Sequence, residues 1–131
     1  MTITKLLLFH AFITLAAGIV LIVNPGVIPE TINIHLDKNQ YLICYLLGAS
    51  EIAMAFLSFS ARQLKDIKAI RLISMTFILF HLLTALVELL ALLEGTDKLI
   101  IANILVRIMV VTLFYYYGLH KSSENTAGKH N

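Results

Sequence analysis

Cysteine is almost missing from this 131-residue chain, in which Cys44 stands alone. One cysteine excludes an internal disulfide, a Cys-x-x-Cys redox pair and any multi-cysteine metal site. Cys44 then reads as a small apolar packing residue, because a free thiol behaves much like a small hydrophobe. Excess charge is missing too. The net charge is only +2, and the Lys and Arg residues form no basic stripe with interleaved aromatics, so nucleic acid is not expected as a partner. There is no repeat and no low-complexity tract. No glycine-rich phosphate loop, Ser–His–Asp arrangement or nucleophilic Cys–His pair stands out. At this length the chain is one domain, with no room for a second independent module.

What the chain has in surplus is apolar side chain. Hydrophobic residues make up 59% of it and the mean hydropathy is +0.86, against roughly half apolar residues in an ordinary soluble domain. A water-soluble fold of this size could not bury that much, so the surplus is expected to face lipid. Crossing a bilayer as a helix takes about 20 predominantly apolar residues. Four stretches meet that requirement: 6–23, 41–61, 69–93 and 99–119. Asn24-Pro25-Gly26 stops the first, since proline has no N–H and keeps its predecessor out of the α region. Arg62 to Lys68 separates the second from the third. Glu94-Gly95-Thr96-Asp97-Lys98 reverses the chain so tightly that the last two helices must be antiparallel neighbours. The fold class that follows is all-α: a polytopic, four-helix, up-down transmembrane bundle over residues 1–121.

Basic residues orient it. Lys5, Arg62, Lys65, Lys68, Arg71, Lys121 and Lys129 fall on one side, Lys38 and Lys98 on the other, and the richer side is cytoplasmic by the positive-inside rule. Both termini are then inside, as an even number of spans requires. A cleaved signal peptide is the rival reading of the first span, with Lys5 before the apolar run and small residues Thr14 and Ala16 near a cleavage point. The run continues well past that point and His10 interrupts it, which favours a span. Between the first two spans, Asn24 to Gln40 suits a helical turn opening at Pro29 on the outer membrane surface. The alternation of Ile32, Ile34 and Leu36 is equally strand-like. The tail at 122–131 is polar and is expected to be a disordered cytoplasmic segment.

Ionisable side chains near a bilayer centre cost about 2.5–3.5 kcal/mol each on insertion scales, so they turn inward and find partners. The spans hold five, His10, Glu51, His81, Glu88 and Arg107, with Asn103 and Thr84 adding neutral polarity. His81, Thr84 and Glu88 share a face at i, i+3, i+7, and Asn103 and Arg107 share one at i, i+4, continued by Phe114 and Tyr117. Glu51 lies in a small-residue seam with Cys44, Gly48, Ala55 and Ser58, and His10, Thr14, Ala17 and Gly18 form a similar stripe in the first helix. Small residues let a neighbouring backbone come close. The candidate intramembrane binding cluster is therefore Glu51, His81, Thr84, Glu88, Asn103 and Arg107, and no residue is assigned a catalytic role. At 1.5 Å rise per residue, Arg107 falls between the levels of Glu88 and Glu51 and suits either as partner. With His81 neutral the cluster carries a net −1, which one shared proton would remove. His10 lies about one turn from the inner interface and is expected to snorkel. Tyr115, Tyr116 and Tyr117 read as an interfacial aromatic belt. No metal and no cofactor are expected: the carboxylates and His81 lack a compact ligand spacing, and Arg107 beside them disfavours a cation.

The organisation resembles the small bacterial four-helix membrane proteins of the DoxX-like kind. The residues that carry the likeness are Asn24-Pro25-Gly26 at the end of the first span, the short outer loop, Leu47-Gly48-Ala49-Ser50-Glu51-Ile52-Ala53 in the second span, and the basic inner loop after it. The arginine that often opens the first helix in such families is absent, with Lys5 nearby. The resemblance implies a four-helix bundle in a bacterial inner (plasma) membrane, often an accessory component, with no agreed chemistry.

Three functions remain open on these grounds. The first is an accessory or interaction protein whose partners are the bilayer and a partner membrane protein or a second copy of the chain. The second is a proton-linked binder or transporter of a small solute or lipid, with a small lipophilic ligand in the polar cluster. The third is an intramembrane enzyme acting on a lipid, sterol or quinone. Direct pairing of Glu88 with Arg107 would favour the first, and an open pocket around Glu51 and His81 the second or third.

Overall fold

Helices carry almost all of the chain in this computed structural model, which describes residues 1–121. They are α1 (Ile3–Val23), the short α2 (Val27–Glu30), α3 (Tyr41–Ala61), α4 (Ile67–Leu93) and α5 (Ile100–Phe114), the last continued by a π-helical stretch, Tyr115–His120. Among the described residues there is no strand. Four helical segments are long and apolar enough to cross a membrane: Ile3–Val23, Lys38–Ala61, Ile67–Leu93 and Ile100–His120. The expected disorder of the tail at 122–131 lies outside the described residues.

Two helices begin a few residues earlier than the apolar runs, because capping and not hydropathy sets a helix start. Thr2 Oγ1 accepts the Lys5 N–H at 3.3 Å ahead of α1, and Asp66 Oδ1 accepts the Lys68 N–H at 2.9 Å as the N-cap of α4. Each serves one of the donors that a helix N-terminus leaves without an intrahelical acceptor. Lys5 and Lys68 are thereby drawn into the first turns of α1 and α4.

The loop between α1 and α3 resolves the open choice at 24–40. The helical turn opens at Val27, two residues before Pro29, which sits within the first turn where a missing N–H removes no intrahelical bond. Asn33 takes a left-handed conformation (φ 58°), and the Ile32–Ile34–Leu36 segment pairs with no strand. Lys38–Gln40 then forms a 3₁₀ turn leading into α3, with the Asp37 N–H donating to Gln40 Oε1 at 2.9 Å.

By its contacts the chain forms two compact units, one spanning Leu7–Arg62 and the other taking Met1–Leu6 and the chain from Gln63. In the first, α1 and α3 run antiparallel, since Gly18 meets Gly48 while His10 meets Ser58. A Cβ on Gly18 would lie 2.8 Å from the Gly48 carbonyl oxygen, and one on Gly48 would lie 2.9 Å from that of Gly18. Only paired glycines allow backbones this close.

In the second unit α4 and α5 are joined by a reversal that satisfies its own backbone. Gly95 (φ 104°) follows the end of α4, the Gly95 N–H donates to Leu92 O at 3.2 Å, and the Thr96 N–H donates to Ala91 O at 3.0 Å. This is the Schellman arrangement, and it needs a residue without Cβ strain at the left-handed position. Asp97 Oδ1 then accepts the Leu99 N–H at 2.9 Å ahead of α5. The pair packs around Phe77 and Phe114, both wholly buried, with ring centroids 5.1 Å apart. Gly118, in the π-helical stretch, is so close to Ser74 that a Cβ would fall on the serine hydroxyl.

Large apolar side chains such as Phe56, Leu72 and Leu105 stand well exposed on the long helices. An apolar surface of this extent is one that lipid or another protein must cover.

Candidate functional site

The six candidate residues divide between the two units. Glu51 belongs to α3, and His81, Thr84, Glu88, Asn103 and Arg107 belong to the α4–α5 pair. Each set has its own geometry.

In the α4–α5 unit the central feature is an ion pair. Arg107 Nε donates to Glu88 Oε1 at 2.8 Å, and both side chains are mostly buried. The pairing follows from the tight reversal, which brings Glu88, near the end of α4, opposite Arg107, about two turns into α5. A charge-assisted bond of this length in a medium of low dielectric constant is far stronger than the same contact in water. The second carboxylate oxygen, Oε2, is buried and accepts no hydrogen bond.

His81 lies two turns along the same face of α4, buried with Ser74, Phe77 and Ala85. Its ring meets that of Phe80 edge-on, with centroids 5.4 Å apart. Thr84 turns back on its own helix: its hydroxyl lies 2.8 Å from Phe80 O and 3.1 Å from His81 O. That hydroxyl is therefore committed to backbone and is a poor ligand group. Asn103, one turn before Arg107, is half-buried and makes no side-chain hydrogen bond among the described residues. Among the described residues no three His, Cys, Asp or Glu side chains gather in a way that could hold a metal ion.

In the α1–α3 unit Glu51 is buried on α3, in one stripe with Cys44, Gly48, Ala55, Ser58 and Ala61. The seam read from the sequence is thus the inward face of this helix. Opposite it, α1 buries His10, Ala11, Thr14, Gly18 and Leu21. Thr14, like Thr84, returns its hydroxyl to its own helix, 2.8 Å from His10 O.

The polar contact that the sequence does not disclose is His10 with Ser58. His10 Nδ1 and Ser58 Oγ are 2.7 Å apart, with both residues buried, and the ring tautomer decides which of them donates. His10 was expected to snorkel toward the inner interface; instead it points into the helix pair, because α3 offers a hydroxyl there. The two residues are 48 positions apart, so no spacing rule links them. The only hint is that each lies on the small-residue stripe of its helix.

At the other end of the chain, Tyr115 and Tyr116 are exposed. The Tyr116 ring stacks on His120 at 5.9 Å and meets Tyr117 edge-on at 5.0 Å. This aromatic group occupies the π-helical stretch, where the turn is widened to i→i+5 bonding.

The chain matches no family model, no curated protein and no solved structure.

Proposed function

We propose that the chain is an integral membrane protein acting as an accessory or interaction component. In this reading both termini and the 62–68 loop are cytoplasmic, and the four long helices run up and down as one bundle in a bacterial inner membrane. Its kinship with the DoxX-like proteins is part of the same proposal. The observation that supports it is the direct 2.8 Å contact of Arg107 with Glu88. A solute carried through the bundle would need charged groups able to meet it, and these two are engaged with each other. Thr84 and Thr14 are likewise committed to their own backbones. Polar side chains used in this way hold helices in register and leave the exposed Leu, Ile and Phe faces for partners.

The test uses photoactivatable residues at exposed positions Leu79, Leu83 and Leu86 of α4 in native membranes. A discrete adduct with one membrane protein, or with a second copy of this chain, is the expected result. Adducts with lipid alone at all three positions would overturn the reading.

One observation favours a proton-linked binder as the second reading: Glu88 Oε2 is buried without a hydrogen-bond donor, leaving it open to a proton or to a ligand donor. Proteoliposomes carrying a pH-sensitive dye separate the two. The interaction reading expects no proton flux above that of empty vesicles, whereas a flux abolished by Glu88→Gln would replace it with the second.

A further inference from the structure

Along the α1–α3 pair runs an open groove of about 340 Å³. Ala11 and Ala55, both buried, form its floor, while the exposed side chains of Phe12 and Phe56 stand up as its walls. Leu15 and Phe59 complete the lining, which exposes no polar surface. Small residues beneath and aromatic ridges at the sides make a trough, not a flat face. Its α3 side runs from Ile52 to Phe59, ~10 Å at the rise of an α-helix.

The groove has one charged end. Arg62 follows α3 directly, and its guanidinium carbon sits 4.0 Å from the centre of the Phe59 ring. Its Nε donates to the Phe59 carbonyl oxygen at 3.2 Å, fixing the head group where the groove ends. The two terminal nitrogens of this guanidinium have no protein acceptor among the described residues. A guanidinium presents its remaining donors as a fork that matches a phosphate. Stacking on Phe59 orients that fork without using the donors.

We propose that this groove binds an anionic phospholipid of the cytoplasmic leaflet, with one acyl chain in the trough and its phosphate on Arg62. The inference rests on the membrane orientation proposed above and adds a specific lipid to it. A slim, flexible chain fits between the Phe12 and Phe56 ridges, which would hold a neighbouring helix away from the alanine floor. The arginine favours a lipid phosphate over an uncharged sterol or quinone, and a net negative headgroup over a zwitterionic one.

The test is native mass spectrometry of the full chain released from mild detergent, with equal amounts of phosphatidylglycerol and phosphatidylcholine. Wild type is expected to retain phosphatidylglycerol preferentially, by about fivefold, because both lipids offer Arg62 a phosphate but only phosphatidylglycerol has a net negative headgroup. Arg62→Gln should abolish that preference, and Arg62→Lys should restore part of it. In a second measurement, phosphatidylglycerol with a diazirine in its acyl chain should label Phe12, Leu15 or Phe56. Equal retention of the two lipids, a preference unchanged in Arg62→Gln, or labelling confined to other helix faces would overturn the proposal. So would a dimer whose interface protects Phe12 and Phe56, since a second copy would then fill the groove. Alkaline carbonate extraction keeps the outcomes separate: a chain released from membranes defeats the membrane reading itself, whereas a retained chain without lipid preference defeats only this inference.

Discussion

Between α1 and α3 the closest approach is backbone on backbone, at Gly18 and Gly48, with the His10–Ser58 hydrogen bond further along. Between α4 and α5 the contacts are side chain on side chain, Phe77 on Phe114 and Glu88 on Arg107. The connections differ in the same sense. A loop with its own short helices joins the first pair, while a turn closed by Gly95 joins the second. Lipid tails are as apolar as leucine, so no hydrophobic force drives helices together inside a bilayer. Close packing and polar contacts remain: the glycine contact is the tightest packing of the first unit, and the ion pair is the polar contact that marks the second. A unit held by shape should respond to added volume, and a unit held by charge to lost charge.

Removing one charge from α4–α5 is the strongest test. Arg107→Leu leaves the Glu88 carboxylate buried without its cation and is expected to destabilise by about 3–5 kcal/mol. Glu88→Gln in the same chain should recover most of that loss, because the neutral pair has no stranded charge. Reversible unfolding in mild detergent measures both. If Arg107→Leu unfolds like wild type, charge does not hold this unit and the contrast with α1–α3 fails.

Added volume should act on the other unit. On Gly48 a methyl group would meet Gly18 O and Ile22 Cγ1, each at 2.9 Å, and overpacking of this kind typically costs about 1–3 kcal/mol. Gly18→Ala should behave alike, and the double variant should cost less than the sum, because the helices need separate only once. Strict additivity would show that the two glycines do not share one contact. An effect of the same kind, about 1–3 kcal/mol, is expected for Gly118→Ala, whose methyl group would overlap the wholly buried Ser74. Ser74→Gly should relieve it. Rescue there would show that α4–α5 also uses shape, and would soften the contrast.

Much of this was legible in the sequence because the relevant signals are local. Span length and polarity placed the four helices to within a few residues, and alternating spacings of four and three put Cys44, Gly48, Glu51, Ala55 and Ser58 on one buried face. The Glu88–Arg107 pair was among the expected ones because only five residues separate the two spans, which fixes the register of facing positions. Across α1 and α3 no such constraint exists. The intervening loop is long enough for several registers, so neither the Gly18–Gly48 contact nor the His10–Ser58 bond could be assigned from spacing. The helix starts were misplaced for a different reason: Thr2 and Asp66 act through backbone hydrogen bonds, which a hydropathy count does not register. Thr84 illustrates a third limit. Its position on the polar face was right, but a threonine in a helix can turn its hydroxyl back to the preceding turn, and here it does.

The smallest expected effect bears on whether the α1–α3 contact depends on its hydrogen bond. Ser58→Ala removes the oxygen 2.7 Å from His10 Nδ1 while leaving the glycine contact untouched. Hydrogen bonds between helices in a membrane average roughly 0.6 kcal/mol and reach about 1.7 kcal/mol, so the loss should fall in that range. It should be several times smaller than that of Arg107→Leu, measured in the same detergent. Ser58→Thr keeps the hydroxyl and adds a methyl group at a wholly buried position, so it should cost more than Ser58→Ala if shape governs this unit. A reversed order, with Ser58→Ala the worse of the two, would mean that a polar contact and not close packing fixes α1 against α3. The two units would then be held by the same kind of force, differing only in charge.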